Sequence, residues 1–283
     1  MAATLIWGPT FVTNQTLLKT MSAIDVMTWR FSAAAIILFV VRPQAVFRLP
    51  RATVFHGVVL GGLLAAGYLF QLIGLGTSTV TAAGFITGMF VVIAPLLSWV
   101  LLREKVDRVT WLAVIITTIG LGLLSFHGGH LGRGEMITLV CAVMFALHIV
   151  GLGQWSLPEH AFGLTTIQVA VVGALSTLGA ISQGGPTLPP GRSEWLSILL
   201  LAVFATCFGY FAQTWAQSKI TPTRTAVIMT MEPVFAAIAG VTIGTDELTI
   251  KLAAGAGLIL IGTLIAELGP RHSAEGKIAH LEP

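Results

Sequence analysis

Charge is scarce in this 283-residue chain: Asp, Glu, Lys and Arg make up 10% of it, against roughly a quarter in soluble domains. Together with 55% hydrophobic residues and a mean hydropathy of +0.90, that scarcity excludes a water-soluble globular domain as the bulk of the molecule. Cysteine is nearly absent too. Cys141 and Cys207 each stand alone inside apolar runs, which excludes a disulfide framework or a cysteine metal cluster. The net charge of +3 is small and sits in loops, so nucleic acid is not an expected partner. No G-x-x-x-x-G-K-[ST] loop occurs, which excludes ATP-driven pumping by this polypeptide alone, and Gly120-x-Gly122 follows no strand and is no nucleotide fingerprint. No cofactor is expected.

What the chain has instead is long apolar runs. In lipid every backbone amide must be satisfied within its own segment or in a closed barrel, and runs of about 20 apolar residues fit the helical solution. Barrel strands would be shorter and alternating. The reading is an all-α integral membrane protein with ten transmembrane helices, near 3–19, 24–41, 54–75, 80–102, 108–126, 133–153, 161–182, 194–216, 223–244 and 249–268. Asn14 and Gln15 make the first the weakest. Membrane sequence begins almost at Met1, so that span reads as a retained anchor rather than a cleaved signal, unless the true start lies upstream. The connections are short, and the tail 269–283 is polar and expected to be disordered.

Lys and Arg favour cytoplasmic loops. With the N-terminus inside, the inner loops and tail hold Arg42, Arg48, Arg51, Arg103, Lys105, Arg108, Lys219, Arg224, Arg271 and Lys277. The outer loops hold only Lys19, Arg133, Arg192 and Lys251, with Arg30 set aside as intramembrane. Both termini are therefore expected in the cytoplasm.

The two halves match at a constant offset of 142 residues: Gly67, Tyr68 and Gln71 recur as Gly209, Tyr210 and Gln213, Thr81 as Thr223, Met89 as Met231, and Ile119-Gly120 as Ile261-Gly262. The chain divides into a first five-helix repeat, 1–127, and a second, 133–268. Five is odd, so the second copy enters the membrane in the opposite sense. Inverted repeats of this kind underlie alternating access in many secondary transporters, with the site near the midplane.

Of twelve carboxylates, Glu232 alone is deep in a span, about ten residues in and so roughly 15 Å along the helix. An ionisable group there costs ~2.5–3.5 kcal/mol and marks a pathway by default. Proton loading and release is one reading; a protonated packing residue beside a kink is the other. Pro233 frees the carbonyl of Met229, so a bend is expected in either case, and Pro95 marks a second hinge in the first half. Arg30, about two turns into its span, fits snorkelling, pairing with a carboxylate, or binding of an anionic substrate group. Tyr68 with Gln71, and Tyr210 with Gln213, share a helix face in each half. They suit either the lining of a common cavity or interhelical hydrogen bonding. Trp7, Trp215, Trp155 and His148 are weaker pathway candidates, since lone aromatics favour the interface and a single His is more often packed. The small-residue runs at 61–66 and 253–257 suit close helix packing and permit a homodimer without demanding one.

Trp7-Gly8-x-x-Phe11, Arg30, Glu104 closing the fourth span, and Glu232-Pro233 followed by an apolar run to Glu247 together resemble the drug/metabolite transporter superfamily. Within it the closest likeness is to EamA-type ten-helix exporters, over nearly the whole chain. The resemblance implies a central cavity exporting amino acids or other small metabolites across the bacterial inner (plasma) membrane, often by proton exchange. In one respect the halves differ: the offset sets Phe90-Val91 against Glu232-Pro233. Proton and substrate chemistry is therefore sought in the second half.

Three classes remain: a secondary carrier, a channel or facilitator, and a membrane-embedded enzyme. An enzyme would need clustered carboxylates or a nucleophile with its partners, and only Asp246-Glu247 cluster. A channel would use rings of like groups and no coupled step. The expectation is a secondary transporter with small-molecule substrate, lipid and protons as its partners.

Overall fold

The computed structural model describes residues 2–78, 80–103, 106–125, 132–243 and 249–268, and among these every regular element is a helix. Glu104, Lys105, Asp246, Glu247 and the tail 269–283 lie outside the described residues. The first half runs α1 (Ala2–Leu17), α2 (Ala23–Val41), the single turn α3 (Gln44–Phe47), α4 (Arg51–Leu75), α5 (Val80–Gly88), α6 (Phe90–Leu102) and α7 (Arg108–Ser125). The second half runs α8 (Arg133–Trp155), α9 (Ala161–Ser182), α10 (Arg192–Leu200), a π-helical segment (Leu201–Phe208), α11 (Gly209–Gln217), α12 (Pro222–Met229), α13 (Met231–Ile243) and α14 (Ile250–Leu268).

Helix starts follow local chemistry. Ser22 caps α2 by accepting from the Asp25 amide at 3.1 Å, and Thr221 caps α12 with Pro222 at the first helical position, where its missing N–H costs nothing.

Among the described residues seven helical stretches are long and apolar enough to cross a membrane: 23–41, 51–75, 83–102, 133–155, 161–182, 192–217 and 222–243. Two shorter apolar stretches, 108–123 and 253–265, lie in α7 and α14. Helix α1 has only 16 residues, about 24 Å at ~1.5 Å per residue, less than a ~30 Å hydrocarbon core. Its Asn14 and Gln15 lower its apolarity further. Large apolar side chains, among them Val40, Trp99, Ile115, Leu178 and Ile243, stand exposed around the bundle. Water disfavours such a surface and lipid does not, which makes this a multi-pass membrane protein.

Shifted by 142 residues, the spacing that separates Tyr68 from Tyr210, α2 falls on α9, α4 on the run from α10 to α11, α5 on α12, α6 on α13 and α7 on α14. The packing obeys the same exchange. Helix α4 packs on α9, and the π segment packs on α2; α1 packs on α13, and α8 on α6; α2 with α9 and α7 with α14 map onto themselves.

The α7–α14 contact depends on the matched Gly120 and Gly262. A Cβ on Gly120 would stand 2.7 Å from the Gly255 carbonyl, and one on Gly262 3.0 Å from the Ala113 carbonyl. Backbone cannot step aside as a flexible side chain can, so Gly262→Leu is expected to cost on the order of 1–3 kcal/mol and to lower the melting temperature in detergent. Gly257→Ala, which meets nothing within 4 Å, is the control expected to leave it unchanged.

Candidate functional site

The helix containing Glu232 is broken where the sequence places its proline. Helix α12 ends at Met229 and α13 restarts at Met231, because Pro233 has no N–H for the Met229 carbonyl and its ring crowds that oxygen. In the first half the helix is not interrupted at Pro95, the expected hinge. Pro95 sits inside α6, and the interruption is at Met89, whose amide turns back to the Ile86 carbonyl at 3.1 Å. The preceding Gly88 weakens the helix at that point and seats the opposite break, since a Cβ there would meet Pro233 Cγ at 3.3 Å. The two interruptions therefore face one another.

Beside them lies a cavity bounded by α1, α4, α6, α8, α11, α12 and α13. Three pairs at the repeat offset face into it: Tyr68 with Tyr210, Gln71 with Gln213, and Phe90 with Glu232. Trp7, Thr10, Leu64, Phe145, His148, Ile149 and Met229 complete the wall. The cavity itself is small, about 30 Å³, room for about two water molecules.

Glu232 is the second residue of α13, 8% exposed and directed to the cavity. Its carboxyl receives no hydrogen bond from the described residues. Arg30 does not snorkel. It is 1% exposed, with Nε donating to Thr206 Oγ1 at 2.8 Å and Nη2 to Tyr68 Oη at 3.2 Å. The guanidinium carbon stands 4.9 Å from the Tyr68 ring centre and 5.0 Å from that of Phe31, and Arg30 forms no ion pair among the described residues. Hydroxyls and aromatic faces thus carry a cation that a carboxylate would ordinarily neutralise. Arg30 does not itself line the cavity; Tyr68 stands between.

The tyrosines meet: Tyr210 donates to Tyr68 at 2.8 Å. Gln71 donates to Thr87 Oγ1 at 3.4 Å, while Gln213 donates to Gln217 Oε1 at 2.9 Å, and Gln217 in turn donates to the Ile149 carbonyl at 2.8 Å. Trp7 belongs to the same cluster. Its ring centre is 5.2 Å from that of Tyr210, and its Nε1 donates at 2.7 Å to the Ala205 carbonyl, which the widened π turn presents. The same turn aims Thr206 at Arg30, and π segments of this sort recur at functional sites. Trp215 is not part of the cluster. It is 45% exposed, with Lys219 Nζ 3.9 Å above its ring.

Each glycine of the repeated Gly-Tyr-x-x-Gln seats an aromatic from the other half: Gly67 against Phe145, and Gly209 against Trp7 Nε1, which a Cβ would meet at 2.6 Å. Gly209→Val is therefore expected to displace the Trp7 ring, lower thermal stability by about 1–3 kcal/mol and suppress any flux through the cavity, as measured in detergent melts and reconstituted vesicles.

Of the walls from α1 and α8, the sequence offered only Trp7 and His148, as weaker candidates. Phe145 is apolar like the run around it, and the Thr10 hydroxyl, bonded to the Trp7 carbonyl in its own helix, reads as an ordinary helix threonine. His148 gave a polar signal, as a histidine in the middle of an apolar run; its Nε2 lies 2.7 Å from Gln168 Oε1.

Comparison with known proteins bears on the whole chain. The EamA-like transporter family model matches twice, over residues 1–126 and 132–268. An uncharacterized transporter of Archaeoglobus fulgidus is 30% identical over 93% of this chain and 83% of its own length. The uncharacterized inner membrane transporter YedA of Escherichia coli is 22% identical over 94% of this chain and 88% of its own. One crystal structure, at 20% identity, superposes with a TM-score of 0.75 over 94% of both chains, a likeness of fold. The chain belongs to the EamA-like transporter family, and is a multi-pass membrane transporter.

Proposed function

We propose that the protein is a secondary transporter that exports small metabolites, amino acids foremost, in exchange for protons, from the bacterial inner membrane. In this reading α1, α7 and α14 also span the bilayer, giving ten spans in two inverted five-helix repeats with both termini in the cytoplasm. The observation that carries the reading is the cavity lined by offset-matched residues of both halves, holding a nine-tenths-buried carboxyl without a hydrogen-bond partner among the described residues. A packing carboxyl would be tied down; one left facing open space is available to a proton or a solute. The Lys and Arg distribution supports the orientation, and the exchange symmetry of the packing supports rocking of the halves about the cavity.

In the cycle, Glu232 takes a proton when the cavity faces outward. Solute entering from the inside displaces that proton, and the breaks at Met89 and Thr230 let the halves tilt. The test is flux in proteoliposomes loaded with a pool of amino acids and small metabolites, with and without an imposed pH gradient. Selective movement of a few compounds, accelerated by the gradient, is expected. Selective movement indifferent to the gradient would make the protein a facilitator, and no movement would overturn the reading.

A further inference from the structure

Polar groups around the cavity do not balance. Tyr68 and Tyr210 carry two hydroxyl protons, and the 2.8 Å bond within the pair uses only one. Behind them Arg30 donates a third proton to the Tyr68 oxygen and brings no acceptor. Whichever tyrosine donates within the pair, one hydroxyl proton is left without an acceptor among the described residues. The Arg30 charge has no ion pair among the described residues, and Glu232 acts on it only through space.

One turn further along α11, at Gln213, and on α13, at Glu232, the imbalance has the opposite sign. The Glu232 carboxyl accepts nothing from the described residues. Gln213 Oε1 is buried with no donor, its amide nitrogen being committed to Gln217 Oε1. The cavity thus has a donor-rich end at Tyr68 and Tyr210 and an acceptor-rich end at Glu232 and Gln213. In a low-dielectric site groups left in this state are costly unless a ligand completes them.

Resting on the transport reading above, we infer that the carried solute is dipolar and lies in one direction, with a carboxylate on the Tyr68–Tyr210 hydroxyls and an ammonium against Glu232 and Gln213 Oε1. Arg30 is a positioning residue in this arrangement: it polarises the tyrosine pair without touching the solute. A solute lacking either charged end leaves one end of the cavity unsatisfied and is rejected for that reason.

The test uses matched triads in the alanine, leucine and phenylalanine series: the amino acid, its carboxamide and its deaminated acid. Protein-dependent flux of each is measured in proteoliposomes of the intact chain against protein-free vesicles. In at least one series the amino acid is expected to exceed both analogues by about ten- to hundredfold, the worth of one charge-assisted hydrogen bond. Tyr68→Phe is expected to reduce the preference over the carboxamide about tenfold and to keep the preference over the deaminated acid; Glu232→Gln is expected to do the reverse. A misfolded variant would lose both preferences, so the reciprocal pattern reports the site itself. Equal flux within every triad, or both variants eroding the same preference, would overturn the dipolar arrangement while leaving transport standing. Absence of protein-dependent flux for every compound of the wider pool would overturn the transport reading and this inference with it.

Discussion

Glu232→Gln is expected to fold normally and to reduce the stimulation of flux by an imposed pH gradient to about one, that is, to none. Glutamine keeps the size and hydrogen-bonding reach of the side chain and removes its only titratable proton. Since Glu232 makes no hydrogen bond among the described residues, the substitution breaks none; it gives up only a through-space attraction to Arg30, and a neutral group is easier to bury than a carboxylate. Melting in detergent should therefore be no lower than that of the parent chain, so the loss of coupling can be assigned to the proton and not to the fold. A gradient response equal to the parent's would remove Glu232 from the coupling step.

The second large effect is expected at Arg30. Its guanidinium ties α2 to Tyr68 on α4 and to Thr206 in the π segment through two donors set at a fixed angle, with the Tyr68 and Phe31 rings about 5 Å away. Lysine has the charge without the planar fork and cannot serve both hydroxyls from one nitrogen while stacking on Tyr68. Arg30→Lys should lose about 1.5–3 kcal/mol for a charged hydrogen bond, seen as a lower melting temperature in detergent. Flux should fall roughly tenfold or more, as expected for 1.4 kcal/mol or more at the rate-determining step. A variant with normal stability and normal flux would show that the fork is not needed.

How much of this could be read from the sequence depended on which interactions are local. The repeat offset was legible because Gly67-Tyr68-x-x-Gln71 and Gly209-Tyr210-x-x-Gln213 preserve their spacing, and the elements fall in the same register. The break before Glu232 was legible because proline acts on its own preceding turn. The break at Met89 was not, because it depends on Gly88 meeting Pro233 from the opposite half. Nor was the setting of Arg30. A lone arginine in an apolar span suggests the interface or a carboxylate, and nothing nearby in the chain announces a π turn 176 residues away that presents Thr206. Trp7 and Trp215 look alike as isolated aromatics; only packing separates the one bonded to the Ala205 carbonyl from the one outside the cluster.

Alternating access through the cavity is open to test by thiol labelling. With the buried Cys141 and Cys207 replaced by alanine, Thr10→Cys places one thiol of nearly the native size on the cavity wall. A membrane-impermeant maleimide is then applied from one side of sealed proteoliposomes at a time. The account predicts labelling from both sides, with the two rates moving in opposite directions when the pH gradient is reversed. Labelling from one side only, or two rates indifferent to the gradient, would contradict it.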